Sequence, residues 1–294
     1  MFAATLILGT PVLALSIENW VFLWMLLELS SVGFIIFMKS LEMSMIYFLT
    51  QTFGSIMILF HLVFWKENMF VLFSISPYFL IIGLILKLGV VPMHQWFLNV
   101  GSKIKKWALF MLMTMQKVIP LLLFKVLLKM GVIPGVALLS AIFGVFFQLG
   151  VYNLKKLILY SSVVNMGWLI LLSSFQMTFL LIFFLLYSLM LSLIVPFIST
   201  HSAEMVLGFM SLAGIPPLLG FFSKLIALKP FTIWSETWGF LLLILSVINT
   251  FIYFRVFMSF GLKAPTLSLH TFRKPLWKII LFIQIGFSMI FMII

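Results

Sequence analysis

The chain has 294 residues, of which 64% are hydrophobic and only 8% charged, with a formal net charge of +12 and a mean hydropathy of +1.30. Soluble domains carry roughly 25% charged residues, so a water-soluble fold is excluded, and the apolar runs are continuous where a β-barrel would need alternation. Cysteine is absent, which excludes disulfides and thiolate metal sites, and His61, His94, His201 and His270 are too scattered to suggest a histidine-based one. The basic residues stand singly or in small groups between apolar runs, the pattern of membrane flanks rather than of a nucleic-acid surface. The sequence opens with neither a cleavable signal nor an Arg-rich transit segment. Asp is absent, Phe and Met are abundant, and Arg occurs only at Arg255 and Arg273, a bias that suits a T-rich, C-poor organellar genome.

About 20 apolar residues cross a bilayer as a helix. By that ruler the chain is an all-α polytopic membrane protein of about eleven transmembrane helices, at 1–17, 18–38, 43–64, 70–98, 107–128, 131–151, 156–174, 177–199, 204–229, 234–257 and 275–294. Trp20, Trp65, Trp107, Trp234, Trp238 and Trp277 fall near predicted ends, as an aromatic belt requires. The second span carries Glu28 near its middle. The fourth carries Lys87, then Gly89, Pro92 and His94. The fifth carries Lys117 with Pro120 after it, and Lys125 and Lys129 near its end, where they snorkel. The ninth carries Pro216 and Pro217 before Lys224.

The fourth and ninth spans are the longest, and both are interrupted. Proline inside a helix removes a backbone bond, and in lipid such a break is tolerated only where protein or a water-filled cavity surrounds it. The two breaks lie five spans apart, so they run in opposite directions. That predicts two inverted five-helix repeats, about 1–128 and about 131–257, with one discontinuous helix in each and a C-terminal helix at about 275–294. All belong to a single transmembrane domain, 1–294. Connections after even-numbered spans hold Lys39, Lys103, Lys105, Lys106, Lys155, Lys156, Arg255, Lys263, Arg273 and Lys274. Those after odd-numbered spans hold Lys66, Lys129 and Lys229. The N-terminus therefore shares the positive-inside face, and the C-terminus lies opposite.

Four charges stand out from their apolar surroundings: Glu28, Lys87, Lys117 and Lys224. An ionisable group at the bilayer centre costs about 2.5–3.5 kcal/mol on insertion scales. Glu28 is about 15 Å from either end of its span, too deep to reach the interface. It is either a protonated structural side chain or one half of a buried pair. Lys87 and Lys117 are comparably deep; Lys87 is either a neutralising partner for a local carboxylate or a titrating group. Lys224 is shallow enough to snorkel. His94 suits a proton relay or a structural hydrogen bond. Gln51, Thr52, Ser161, Ser162, Asn165, Asn249 and Thr250 fit a water chain and interhelical hydrogen bonds equally well.

The stretches WMLLELSSVGFIIF, YFLTQTFGS, KLGVVPMHQW, MQKVIPL, NLKKLILYSSVVNMGW and FMSLAGIPPLLGFFSK follow one another from about residue 18 to 257. As a set they resemble the chain 2 family of NADH–ubiquinone oxidoreductase, antiporter-like proton-pumping subunits of mitochondrial complex I. The resemblance implies that Glu28 pairs with Lys87, that Lys117 is the central lysine of a hydrophilic axis, and that Lys224 is its terminal lysine. It also implies a mitochondrial inner-membrane subunit of the H+-translocating NADH:ubiquinone reductase, N-terminus on the matrix side and C-terminus on the intermembrane-space side. Its partners would be other complex I subunits, above all neighbouring antiporter-like ones, and membrane lipids. No cofactor is expected on this chain; NADH, FMN, iron–sulfur clusters and ubiquinone would belong to other subunits. Against the wider family's fourteen helices the resemblance implies that three would be missing, at the N-terminus, and Asn165 stands where many relatives carry histidine. The alternative readings are a stand-alone cation/proton antiporter and a membrane scaffold with vestigial charges.

Overall fold

The computed structural model describes residues 2–66, 70–124, 132–175, 177–198, 203–216, 218–234 and 236–263. Among them every regular element is helical: α1 Phe2–Ala14, α2 Trp20–Met38, α3 Leu41–Lys66, α4 Phe70–Leu88, α5 Gln95–Lys103, α6 Lys106–Met113 and α7 Met115–Phe124. There follow α8 Val132–Leu149, α9 Leu154–Ser173, α10 Met177–Ile194 with a 3-10 turn at Val195–Phe197, α11 Ala203–Ala213, α12 Leu219–Trp234 and α13 Glu236–Lys263. Among the described residues, seven stretches are long and apolar enough to cross a membrane, including α2, α3, α8 and α9. Pro217, Lys125, Lys129, His201, His270, Arg273, Lys274 and the span at 275–294 lie outside the described residues.

The helices form two compact units. One comprises Met1–Gly144 with Lys155–Ser174, the other Val145–Leu154 with the chain from Phe175 onward. In the first unit α3 packs along α4, α2 bridges α1 and α3, and α7 lies against α1, α2 and α4. In the second, α10 packs on α11 and α12, and α13 packs on both of them.

Both predicted interruptions are present, but glycine and not proline ends the helix. Gly89 has φ 65°; its N–H donates to Leu86 O at 3.2 Å and that of Val90 to Ile85 O at 3.2 Å. That paired reach-back is a Schellman cap, which needs a residue in the left-handed region. Pro92 stands beyond it, in the connection to α5, after a cis Val91–Pro92 bond. Gly214 takes the same left-handed turn after α11, with φ 83° and its N–H on Ser211 O at 3.1 Å.

A third interruption has no counterpart in the sequence reading. The predicted span 107–128 divides at Thr114, whose φ and ψ are −117° and −82°. Its hydroxyl donates to Phe110 O at 2.7 Å, a back-bond that bends helices. Pro120 lies inside α7 and leaves the carbonyl one turn earlier, on Gln116, without its helical donor.

Candidate functional site

Lys87 occupies the last turn of α4, and its side chain is fully buried. Its Nζ donates to Glu28 Oε1 on α2 at 2.8 Å, while the glutamate side chain is 27% exposed at the edge of the chain. Room for the lysine stem comes from Gly54 on α3. A Cβ there would stand 2.9 Å from Lys87 Cγ and 3.1 Å from Gly83 O. A Cβ on Gly83 would stand 2.7 Å from Gly54 O, so the two backbones touch where the lysine passes.

Lys117 is buried on α7. Its Nζ lies 4.6 Å from the centroid of the Phe97 ring and donates to Ser162 Oγ on α9 at 3.4 Å. Phe97 comes from α5, the helix after the first break. Its neighbour Trp96 turns back, and the indole N–H donates to Leu86 O on α4 at 3.0 Å. The broken helix thus serves both lysines, with Lys87 before the break and Phe97 after it.

A polar bridge links the two positions. Tyr47 on α3 packs its ring against Phe34 and Trp96 and donates its hydroxyl to Gln116 Oε1 at 3.0 Å. Gln116 Nε2 donates in turn to Ser30 O on α2 at 3.0 Å. Gln116 immediately precedes Lys117, and Ser30 lies two residues after Glu28. The amide is therefore held at both ends, in an orientation that its two partners dictate.

Lys224 belongs to the second unit. It is 9% exposed, which corrects the snorkelling alternative: Nζ turns inward and donates to Ala213 O, the last residue of α11, at 2.7 Å. A cation at a helix C-terminus meets the negative end of the dipole, worth about 0.3–1 kcal/mol at exposed sites and more when buried. Gly214 leaves the space for it, since a Cβ there would stand 2.9 Å from Lys224 Nζ.

A model of the family described as NADH:quinone oxidoreductase/Mrp antiporter, TM, matches residues 17–206. The chain belongs to that family. NADH-ubiquinone oxidoreductase chain 2 of Osphranter robustus is 30% identical over 290 residues, covering 87% of this chain and 83% of that one. The fold resembles a chain of respiratory complex I from Thermus thermophilus, with 19% identity and a TM-score of 0.68, covering 80% of this chain and 64% of that one. It also resembles a chain of the Mrp complex from Dietzia sp., with 14% identity and a TM-score of 0.76, covering 87% and 59%. The chain spans about three fifths of the length of those solved chains.

For this antiporter family member, the structure joins Glu28 to Lys87 and, through Tyr47 and Gln116, places Lys117 next to the same framework. His94 is buried just before α5, with Nδ1 3.3 Å from Pro92 O. Asn165 is buried on α9, a helix enclosed along almost its whole length. Among the described residues no cluster of His, Asp and Glu is arranged to hold a metal ion. Tyr47, Phe97 and Gly54 were not singled out by the sequence reading. Tyr47, Gln51, Gly54, Ile58 and His61 do recur at helical spacing on the buried face of α3, and that period was the available signal.

Proposed function

We propose that the chain is an antiporter-like membrane subunit of respiratory complex I in the mitochondrial inner membrane, conducting protons through Glu28, Lys87, Lys117 and Lys224. The observation that carries this reading is the salt bridge between Lys87 and Glu28, buried beside a helix break in a chain of this family. Redox chemistry, with NADH, FMN, iron–sulfur clusters and ubiquinone, belongs to other subunits. The eleven-helix count, the inverted repeats at about 1–128 and 131–257 and the matrix-facing N-terminus are parts of the same proposal. Other antiporter-like subunits are the expected neighbours.

The working step is a change in the Glu28–Lys87 interaction. Two unit charges 4 Å apart interact by about 4 kcal/mol at an effective dielectric of about 20. About 1.4 kcal/mol corresponds to a tenfold change in proton affinity. Drawing Glu28 away therefore changes the hold of Lys87 on its proton by roughly three decades. The exposed edge of Glu28 gives a neighbouring subunit access to the pair. Lys117, with a hydroxyl and a ring at its head, accepts and passes on the proton, and Lys224 ends the series.

The test is Lys87→Met in an assembled complex that still oxidises NADH. Proton translocation per electron should fall. Undiminished translocation would sink the proposal. The fold shared with the Mrp chain supports a second reading, a cation/proton antiporter working alone. Exchange of cations for protons by the purified chain in liposomes would decide for it.

A further inference from the structure

Gln116 joins Lys117, its chain neighbour, to the helix that carries Glu28. Its Nε2 donates to Ser30 O on α2 at 3.0 Å, and its Oε1 accepts from the Tyr47 hydroxyl at 3.0 Å. A carbonyl only accepts, so Ser30 O fixes which end of the amide faces α2. The bridge ends on that carbonyl, which has no proton to pass on. What it transmits is position.

The two sides of this link differ in stiffness. The α2 helix runs unbroken from Trp20 to Met38, and Ser30 follows Glu28 by two residues, about 3 Å along the axis. A displacement of α2 at Glu28 therefore moves Ser30 O with it. The α7 helix has ten residues and starts just after the Thr114 break, and Pro120 withholds the donor that would otherwise meet Gln116 O. The Lys117 N–H reaches only three residues back, to Thr114 O at 3.0 Å. The backbone around Lys117 thus yields where α2 does not. Apolar contacts between the two helices have no preferred direction, whereas the bond from Nε2 to Ser30 O is directional and fixes their register.

The far end of the link is sensitive to such a shift. Lys117 Nζ stands 3.4 Å from Ser162 Oγ, against roughly 2.9–3.0 Å for a well-made bond. Ser162 gives its own hydrogen to Leu159 O at 2.7 Å, so its oxygen serves Lys117 as an acceptor. A movement of about half an ångström closes the contact or breaks it. The Phe97 ring, 4.6 Å from Nζ, attracts the ammonium but sets no hydrogen-bond direction.

We propose that Gln116 is a positioning residue that carries a displacement of α2 at Glu28 to Lys117, and so sets how firmly Ser162 holds the lysine head; this rests on the conduction role proposed above. When Glu28 is drawn from Lys87, Ser30 O moves with α2, Gln116 follows, and the distance from Nζ to Ser162 Oγ changes. Making or breaking that bond alters how firmly Lys117 keeps its proton. The state of the Glu28–Lys87 pair thus reaches the second lysine through a neutral amide, and no proton crosses the bridge. Tyr47 steadies the amide, but the bond to α2 is made by Gln116 itself.

The experiment uses assembled complex that still oxidises NADH. One readout is protons translocated per NADH oxidised, and the other is amide hydrogen exchange at Lys117, Val118 and Ile119. Glu28→Gln weakens the salt bridge and stands in for withdrawal of the carboxylate. In otherwise native complex it should change exchange at those three amides by roughly twofold or more, the lower end of coupling within one hydrogen-bond network. In Gln116→Met, which keeps the length of the side chain but has no donor, the same substitution should leave them unchanged. Gln116→Met should lower translocation, and Gln116→Met/Glu28→Gln should lower it no further than Glu28→Gln alone. Tyr47→Phe, which leaves the Nε2 bond to Ser30 O in place, should keep the response to Glu28→Gln. Gln116→Asn, one methylene too short to reach Ser30 O, takes the place of Gln116→Met if that variant fails to assemble. An equal response with and without the amide, its loss in Tyr47→Phe, or normal translocation with Gln116→Met overturns this inference. Normal translocation with Lys117→Met overturns the function proposed for that lysine instead.

Discussion

Gln116 gives the clearest account of how single side chains build the first unit. Its two amide atoms are used by different helices, Oε1 by the Tyr47 hydroxyl and Nε2 by the Ser30 carbonyl. Replacing it with leucine strands both partners, and each unsatisfied buried group costs about 1–3 kcal/mol. Gln116→Leu should therefore lower the thermal stability of the assembled complex more than Tyr47→Phe does, since the latter strands only one lone pair. A calorimetric comparison checks this, and a larger loss from Tyr47→Phe would contradict it. Glu28, Lys87 and Lys117 were legible from depth alone, because charge so far from the interface needs a reason. Tyr47 was not, since one tyrosine on an apolar helix is ordinary until its partner is known. The position of Lys224 near a span end left open whether its head reached the interface. It turns inward because Gly214 leaves a carbonyl and a space beside it.

Two helix backbones touch where α3 crosses α4, and the crossing depends on two glycines. Gly54→Leu would drive a side chain into the Lys87 stem and the Gly83 backbone. Overpacking of this kind costs about 1–3 kcal/mol and sometimes more. The expected result is a fall in assembled complex on native gels. Gly9 meets nothing within 4 Å of an added Cβ, so Gly9→Ala should assemble normally. Equal assembly of both variants would show that the crossing does not matter. The spans themselves were readable because lipid demands long apolar runs. The way they break was less so. Proline drew the eye to the fourth span, but Gly89 ends α4 because only the left-handed region lets Gly89 and Val90 reach back to its last carbonyls. The break at Thr114 depends on a hydroxyl choosing the carbonyl one turn earlier, which threonine also declines to do in many straight helices.

At the scale of the whole molecule, two compact units each contain at least one lysine whose head is buried. Gln116→Leu acts in one unit, and Arg255→Met, which releases Leu149 O and Val151 O, acts in the other. They share no partner, so their stability costs should add to within about 0.3–0.5 kcal/mol. Their effects on proton translocation should not add if both units lie on one path. A double-variant cycle measuring both quantities separates these cases, and additive losses of translocation would argue for two independent routes.

Among the described residues, Lys117 has a hydroxyl and an aromatic face at its head, where Lys87 has a carboxylate. A neutral ion pair is nearly indifferent to an electric field across the bilayer, but a lone ammonium is not. Moving one elementary charge through the full membrane potential is worth about 2.3 kcal/mol per 100 mV. Whatever fraction of that field falls between Lys117 and its neighbours acts directly on proton occupancy there. On the conduction path proposed above, the choice of partner at this one side chain would make the step at Lys117 the voltage-sensitive one.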